Sequence, residues 1–524
     1  MLRILRLLLL VIPHILFSQN NYVFGPSIRV NDDPPGSSYH GIRSSGQHGI
    51  ACKGDTVYAV FADERDGGYR AVYFSKSTDG GQTWWSNVRV AGGLPDFETL
   101  YASIALDAQG FIYIAFRGDE PGNDRNVYFI KSIDGGQSFL DSVLVNDTTR
   151  STQWRPSIAV DSSGQKVFVT WEDLRNPVNP PNYDIYFARS TDGGVTFLPS
   201  IRVDDTGSDT TWQQDPSIGC TQSGDTIHVA WSDQRNGTLD VYFSRSIDGG
   251  QSFEPNILVN DTAGTIPSSQ WLPSLWVNKV GNVYVCWEDF RSGVHFEIYS
   301  DRSTDGGVSF AQDVKVSDDT CPATYPSVVV NDSDYVFVAW RDARDYDTTG
   351  HDIYFSFSTD GGNTYSSDVR VNDLGGLVDA WDWSANVTVN NNGDVFVAWK
   401  TTRHHPSLTM WDIYCASGQY IGIQESFDPI PVIHIGCHPN PFTELTIISL
   451  KTKPIANDEI SLDIYDISGR AVKSFKDLTT SYLSASQLVW RGTDNRGAVL
   501  PQGVYFCRVR IGELEYIYKI VKIK

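Results

Sequence analysis

The sequence offers no cysteine framework and almost no methionine: seven cysteines stand singly at 52, 220, 286, 321, 415, 437 and 507, none in a CxxC pair, and only two methionines occur in 524 residues. An odd, scattered set excludes a disulfide-built scaffold and the common zinc modules, and leaves most of these thiols as small core residues. Basic charge is also scarce, with 41 Lys plus Arg against 63 Asp plus Glu and a formal net of -22. Phosphate backbones need a basic surface, so nucleic acid is excluded as a partner. Long apolar runs are missing beyond the extreme N-terminus, so no transmembrane helix is expected in the mature chain. Catalytic signatures are missing too: there is no Gly-x-Ser-x-Gly elbow, phosphate loop or dinucleotide fingerprint in a strand-helix setting, and His404-His405 lacks metallopeptidase spacing. Asp-Asp and Asn-Asp pairs such as Asp204-Asp205 and Asn146-Asp147 recur too regularly for calcium loops and read as turns. No metal and no cofactor is expected.

What is present begins with a leader. Arg3 and Arg6 precede the apolar stretch Leu7 to Phe17 and the small residue Ser18, a pattern that reads as a secretory signal over residues 1–18. Beyond it the dominant feature is repetition. Ser-x-Asp-x-Gly-x-x-aromatic occurs six times, with its aspartates at Asp79, Asp134, Asp192, Asp248, Asp305 and Asp360, spaced by 55, 58, 56, 57 and 55 residues. Each repeat holds four short apolar runs separated by turn residues, in the third Pro156 to Val160, Val167 to Trp171, Asp184 to Arg189 and Ile201 to Val203. Four strands per unit is the size of one propeller blade.

The second run ends at Phe61, Phe116, Trp171, Trp231, Trp287, Trp340 and Trp399, seven times against six boxes. Ser27 to Asp32 repeats the box-following strand found at Val369 to Asp373 without a box of its own. The expected fold is therefore all-β: a seven-bladed β-propeller over residues 22–418 whose N-terminal strand completes the last blade, leaving no unpaired edge. Within the box, the Asp accepts backbone N–H groups and the second glycine takes a positive φ.

These boxes resemble those of Asp-box, or BNR-repeat, sialidase-like propellers across about 390 residues. The resemblance implies that the boxes lie between the third and outermost strands, opposite the functional mouth. The loops expected at that mouth carry Tyr101, Gln153 with Trp154, Trp212 with Gln213 and Gln214, Gln270 with Trp271, Tyr325, and Trp381 with Trp383. Flat rings beside amides suit sugar faces, and the same rings also serve as packing between blades. A recurrent Asp-x-Arg, from Asp63 and Arg65 to Asp342 and Arg344, reads as a loop clamp; it breaks at Arg117 in the second blade and at Thr401 and Arg403 in the seventh. Blades seven, one and two, with Asp32 to His48, Asp96, Phe97, Glu98 and Asp379, form the sector where a ligand is expected. Tyr101, Arg117, Trp154, Trp212, Trp271, Trp381, Trp383 and Arg403 are the candidate ligand residues.

A sialidase would need an arginine cluster, a tyrosine nucleophile with its carboxylate and a separate acid. The Arg-Ile-Pro element usual near that family's first blade is missing from Gln47 to Lys53, and seven blades replace its usual six. The expectation is thus a non-catalytic glycan- or protein-binding module, with a glycoside hydrolase or a structural scaffold as alternatives.

After a linker over 419–436 the composition changes. His438-Pro439-Asn440-Pro441-Phe442, the run from Leu462 to Phe475 and Trp490 to Val509 follow one another with Gly and Asn-x-Gly turns, implying about seven short strands in a sandwich over 437–524. This segment resembles the type A C-terminal sorting domain of the type IX secretion system. The resemblance implies export through that machinery to the surface or surroundings of a Gram-negative bacterium, with Tyr516 to Lys524 as the recognition strand.

Overall fold

In the computed structural model, residues 21–42, 48–66, 69–90, 98–119, 125–148, 151–176, 182–207, 211–262, 268–318, 321–346, 350–373, 381–405, 410–421, 434–438, 442–451, 460–478, 488–511 and 514–523 are described. The expected leader, residues 422–433 of the expected linker and residues 96, 97 and 379 lie outside them; the linker is shorter than expected, because 419–421 close the strand Asp412–Ile421 and 434–436 open the strand His434–His438. Contacts divide the chain into two units, with residues 20–421 in one and 422–524 in the other.

The first unit is a run of seven antiparallel sheets of four or five strands, compatible with a propeller. In the third sheet Gln153–Val160, Val167–Asp173, Asp184–Ser190 and Ile201–Arg202 pair in chain order. The second strand is buried along its whole length because both of its faces meet neighbouring sheets. One core joins Ala115, Val127 and Phe129 of the second sheet to Ile158, Val169 and Trp171 of the third. Another joins Phe396, Ala398 and Cys415 of the seventh to Ile50, Ala59 and Phe61 of the first.

The N-terminal segment pairs where the sequence places it. Ile28 lies opposite Cys415 and Arg29 opposite Tyr414 on Asp412–Ile421. Asn21–Phe24 adds a second stretch of pairing to the same strand, and this part is not legible as a repeat. Tyr22 drops into the core between sheets six and seven, edge-on to Phe337, Phe355 and Phe357.

Five outer strands are clamped to the next by a reciprocal pair. Asp205 N–H donates to Asn256 Oδ1 at 2.7 Å while Asn256 N–H donates to Asp205 Oδ2 at 3.0 Å. The same exchange joins Asp373 to Ser27 and Asp32 to Asn87, so the N-terminal strand is clamped on both sides. The arginines of the Asp-x-Arg motif hold these clamps: Arg235 bridges Asp233, Asp205 and Asn256. Buried Trp171, Trp231, Trp287 and Trp340 each donate their indole N–H to the Asp of that motif at 2.9 Å.

The box turns sit between the third and fourth strands. In the first, Ser77 Oγ donates to Asp79 Oδ1 and accepts Gly81 N–H, while Asp79 accepts the N–H and hydroxyl of Thr83. Gly80 and Gly81 both have positive φ, 70° and 82°, where the sequence reading assigned that role to the second alone. The box aromatic meets the preceding sheet, as when Phe197 lies edge-on to Phe129.

The second unit holds seven strands in two sheets. His434–His438, Thr446–Lys451 and Leu488–Trp490 form one, and Ala471–Leu478, Ile460–Asp466, Gly503–Ile511 and Leu514–Lys522 the other. Phe442, Ile448, Leu462, Ile464, Trp490, Tyr505 and Val509 lie in a shared core. The terminal strand runs from Leu514 to Lys522 rather than from Tyr516 to Lys524. Lys522 is a buried part of this unit: its ammonium donates to the carbonyls of Leu500 and Gly492. Gly492 has φ 63°, and a Cβ there would lie 2.8 Å from the lysine stem.

Candidate functional site

The antiparallel register puts the start of each first strand, the end of each second and the start of each third at the end of the sheet away from the boxes. The inner strands begin earlier than their apolar runs suggest, at Gln153, Gln213 and Gln270, because a bulge interrupts the pairing between Trp154 and Ser157, Gln214 and Ser217, and Trp271 and Ser274. At each bulge a non-glycine residue takes positive φ: Tyr101, Arg155, Asp215, Leu272, Tyr325 and Ser384, between 48° and 59°. Such φ values carry a backbone cost, and bulges re-aim side chains.

Opposite these residues lies the residue between the recurrent aromatic and Asp of the second strand. There the repeat varies: Ala62, Arg117, Glu172, Ser232, Glu288, Arg341 and Lys400. In the register Ala62 faces Gly41, and each of the other six faces the residue just before the bulge, as Arg117 opposite Leu100, Glu172 opposite Trp154 and Arg341 opposite Thr324. The mouth is thus lined by variable residues held on a repeated frame.

Two groups gather there. In sheets two and three, Tyr101 and Trp154 meet edge-on at 5.4 Å. The Arg117 guanidinium lies over both rings, at 4.7 and 4.2 Å, and that of Arg125 lies over Trp154 at 4.7 Å. Arg117 is 3% exposed and pairs with Asp119, but its Nη1 lacks a hydrogen-bond partner among the described residues. Arg155 contacts Glu172 at 2.9 Å and Asp215 at 3.0 Å. Glu172 also accepts Asp215 N–H at 2.7 Å. Burial raises the Tyr183 phenol, the Glu172 carboxylate adds to this, and the guanidinium groups of Arg125, Arg155 and Arg117 oppose it. The Tyr183 phenol thus feels three guanidinium groups and one carboxylate, of which Arg155 and Glu172 are in direct contact.

In sheets six and seven, Trp383 packs against Tyr325 at 5.2 Å and Trp411 at 6.3 Å, under the Arg341 guanidinium at 3.9 Å. Trp381 lies edge-on to His351 at 5.8 Å. Glu288 accepts Tyr325 N–H, and burial pushes its carboxyl up to about 8 despite that bond and the Arg341 charge. Burial likewise brings Asp382 up to about 7.

Trp212 and Trp271 are exposed at 44% and 38%, and the Trp271 indole donates to Ser269 Oγ. Arg403 joins neither group: it pairs with Asp373 at 2.8 Å and stacks on Tyr414, the clamp position of the other Asp-x-Arg arginines. The box aspartates Asp79, Asp134, Asp192, Asp248, Asp305 and Asp360 hold their own turns. His404 is tied to Asp412 and stacked on Tyr414. Sequence reasoning missed Arg125, Arg155, Glu172, Tyr183, Asp215, Glu288, Arg341, Lys400 and Trp411. The signal for many of them was variation between two repeated positions.

A cavity of about 580 Å³ lies among the other ends of the inner strands, with lining from all seven sheets. His48 reaches across to the Leu275 carbonyl at 3.2 Å, and burial pulls its imidazole down to about 4. None of the mouth residues named above lines this cavity.

A many-sheeted β unit with a charged and aromatic mouth is joined in one chain to a compact two-sheet unit. Residues 437–524 match the secretion system C-terminal sorting domain. A domain of this kind implies engagement of the type IX machinery and export to the cell surface or beyond. No helix among the described residues is long and apolar enough to cross a membrane. No curated protein matches the chain. Among solved structures, a protein of unknown function from Dyadobacter fermentans aligns at 11% identity over 76% of this chain and 99% of its own, with a TM-score of 0.46. A polysaccharide lyase, an ulvan lyase, aligns at 12% over 74% and 95%, with a TM-score of 0.49. An α-L-arabinanase from Penicillium chrysogenum aligns at 14% over 61% and 94%, with a TM-score of 0.44. Likeness of this degree carries no functional information.

Proposed function

We propose that this chain is a type IX cargo whose first unit, expected over 22–418 and extending to Ile421, forms a closed, seven-bladed Asp-box propeller of sialidase-like type joined to the sorting domain, and that its mouth binds an acidic surface glycan. The observation that carries the binding reading is the group formed by Tyr101, Trp154, Arg117 and Arg125, two rings and two guanidinium groups that, among the described residues, both pair with Asp119. Rings stack on the CH faces of a sugar, and a guanidinium with an unused N–H takes a carboxylate or sulfate. The shared seventh and first core, and the clamps on both sides of the N-terminal strand, support the closed ring.

A second reading, hydrolysis in the same mouth, is favoured by Tyr183 and Glu172 beside Arg117, Arg125 and Arg155. Glu288 is a carboxyl kept protonated near neutral pH, as a general acid must be.

The mature full chain is expected to bind acidic glycans on an array and to lose at least tenfold in affinity in Arg117→Met and Trp154→Ala. Asp192→Asn, in a box, should leave binding intact. Retained binding in both mouth variants, or none by the wild type, counts against the reading. Release of an acidic sugar by the wild type and not by Tyr183→Phe would make the mouth catalytic.

A further inference from the structure

His40–Gly41 pairs with Asp63 and Ala62 where the other sheets begin their inner strands, so His40 occupies the place of Gln153, Gln213 and Gln270. Those glutamines face an Asp that also receives an indole N–H; in the first sheet Phe61 replaces the tryptophan and brings no N–H. Asp63 is met instead by His40 Nε2 at 3.0 Å, and the same nitrogen lies 3.1 Å from Asp33 Oδ1. His40 Nδ1 lies 2.5 Å from the Trp411 carbonyl, which can only accept, so Nδ1 carries the ring proton. Nε2 therefore turns toward two carboxylates, the Ser38 hydroxyl at 3.4 Å giving its proton to Asp33 Oδ2 instead, and a bare lone pair cannot face two anions. A cation belongs between them, either a second ring proton or a metal ion.

Three features favour the metal. The three ligand atoms all lie within 4.8 Å of one another, and their 3.0 and 3.1 Å separations approach the roughly 3.4 Å edge of a tetrahedron with zinc bonds of about 2.1 Å. The Nδ1–H to carbonyl bond is the outer contact that fixes a ligating imidazole. The charge also favours it: among the described residues Asp32, Asp33 and Asp63 ion-pair with one guanidinium, that of Arg65, while Arg29 is matched by Asp412, which leaves an excess of two negative charges for a divalent ion. His40 and Asp63 are fully buried, and Asp33 is further held by Asn31, Ser37 and Ser38.

We propose that Asp33, His40 and Asp63 bind a zinc(II) ion that staples the N-terminal segment to the first sheet. The imidazole and two carboxylates suit zinc, with the fourth position left to water. The site shares no side chain with the Tyr101, Trp154, Arg117 and Arg125 group and does not depend on the glycan reading.

The test titrates zinc chloride into the chelator-treated full chain by calorimetry, with thermal unfolding read alongside. The wild type should bind one zinc more than His40→Gln and gain several degrees in Tm that His40→Gln does not. Glutamine is the residue of sheets three, four and five at this position, so this variant should fold. Asp33→Asn should weaken zinc at least tenfold, and calcium and magnesium should not compete. Equal zinc binding by the wild type and His40→Gln, or no zinc-dependent rise in Tm, overturns the site and leaves a doubly protonated His40 between the two carboxylates.

Discussion

Tyr22→Ala is expected to destabilise the first unit by about 3–5 kcal/mol, the cost of removing a large buried ring. Tyr22 is 3% exposed and lies five residues or so past the expected leader, on a segment that ordinary reasoning would treat as a loose terminus. Its ring instead fills the space between Phe337, Phe355 and Phe357, and its hydroxyl donates to the Gly393 carbonyl at 2.8 Å. Truncation leaves a cavity, an unpaired carbonyl and a weakened hold on the strand that carries Ile28 and Arg29. Chemical unfolding followed by tryptophan fluorescence measures it; a loss below about 1 kcal/mol would mean that the segment is not part of the core.

Asp368→Asn should act in the opposite direction, raising stability at neutral pH by about 1–3 kcal/mol. In the clamp between sheets three and four, Asn256 Nδ2 donates to the Val203 carbonyl. Asp368 and Asp313 hold the same place in their clamps, facing Asp318 and Asp261, and each has a buried Oδ1 with no hydrogen-bond partner. Burial pushes the Asp368 carboxyl up to about 8, and Asp318 adds to this against the pull of Arg344. The folded state thus holds a proton that the unfolded chain releases above about pH 4. The contribution of this proton is complete below that pH, falls as pH rises, and is gone once pH passes about 8. The amide supplies its N–H at every pH. Thermal unfolding between pH 5 and 9 should show a gain in Asp368→Asn that grows with pH; a gain that shrinks with pH would contradict the shared proton.

The repeats made most of the frame legible. Six boxes and seven aromatic strand ends gave the number of sheets, and the similarity of Ser27 to Asp32 with Val369 to Asp373 gave the partner of the N-terminal strand. The Asp-x-Arg pairs were readable as clamps, although their reach to a second sheet was not, because Arg235 meets Asp205 only through tertiary placement. The site was harder to read. Tyr101, Trp154 and Trp383 stand out as aromatics, whereas Glu172, Glu288 and Arg341 differ from sheet to sheet and make no motif. Arg155 and Asp215 meet because each takes a positive φ at a bulge, a conformation that no propensity of arginine or aspartate announces. Arg403 misled for a related reason: the loss of its Asp partner at Thr401 looked functional, but Asp373 alone keeps it in the clamp. His40 carried no signal because its partners Asp33 and Asp63 come to it through register, not spacing.

Hydrogen exchange of peptides spanning residues 21–32 in the mature chain tests the ring closure on which the choice of functional face rests. Protection matching that of Asp412–Ile421, with both lost together in Tyr22→Ala, is the expected result. Exchange of 21–32 at the rate of an unstructured peptide while Asp412–Ile421 stays protected would contradict it.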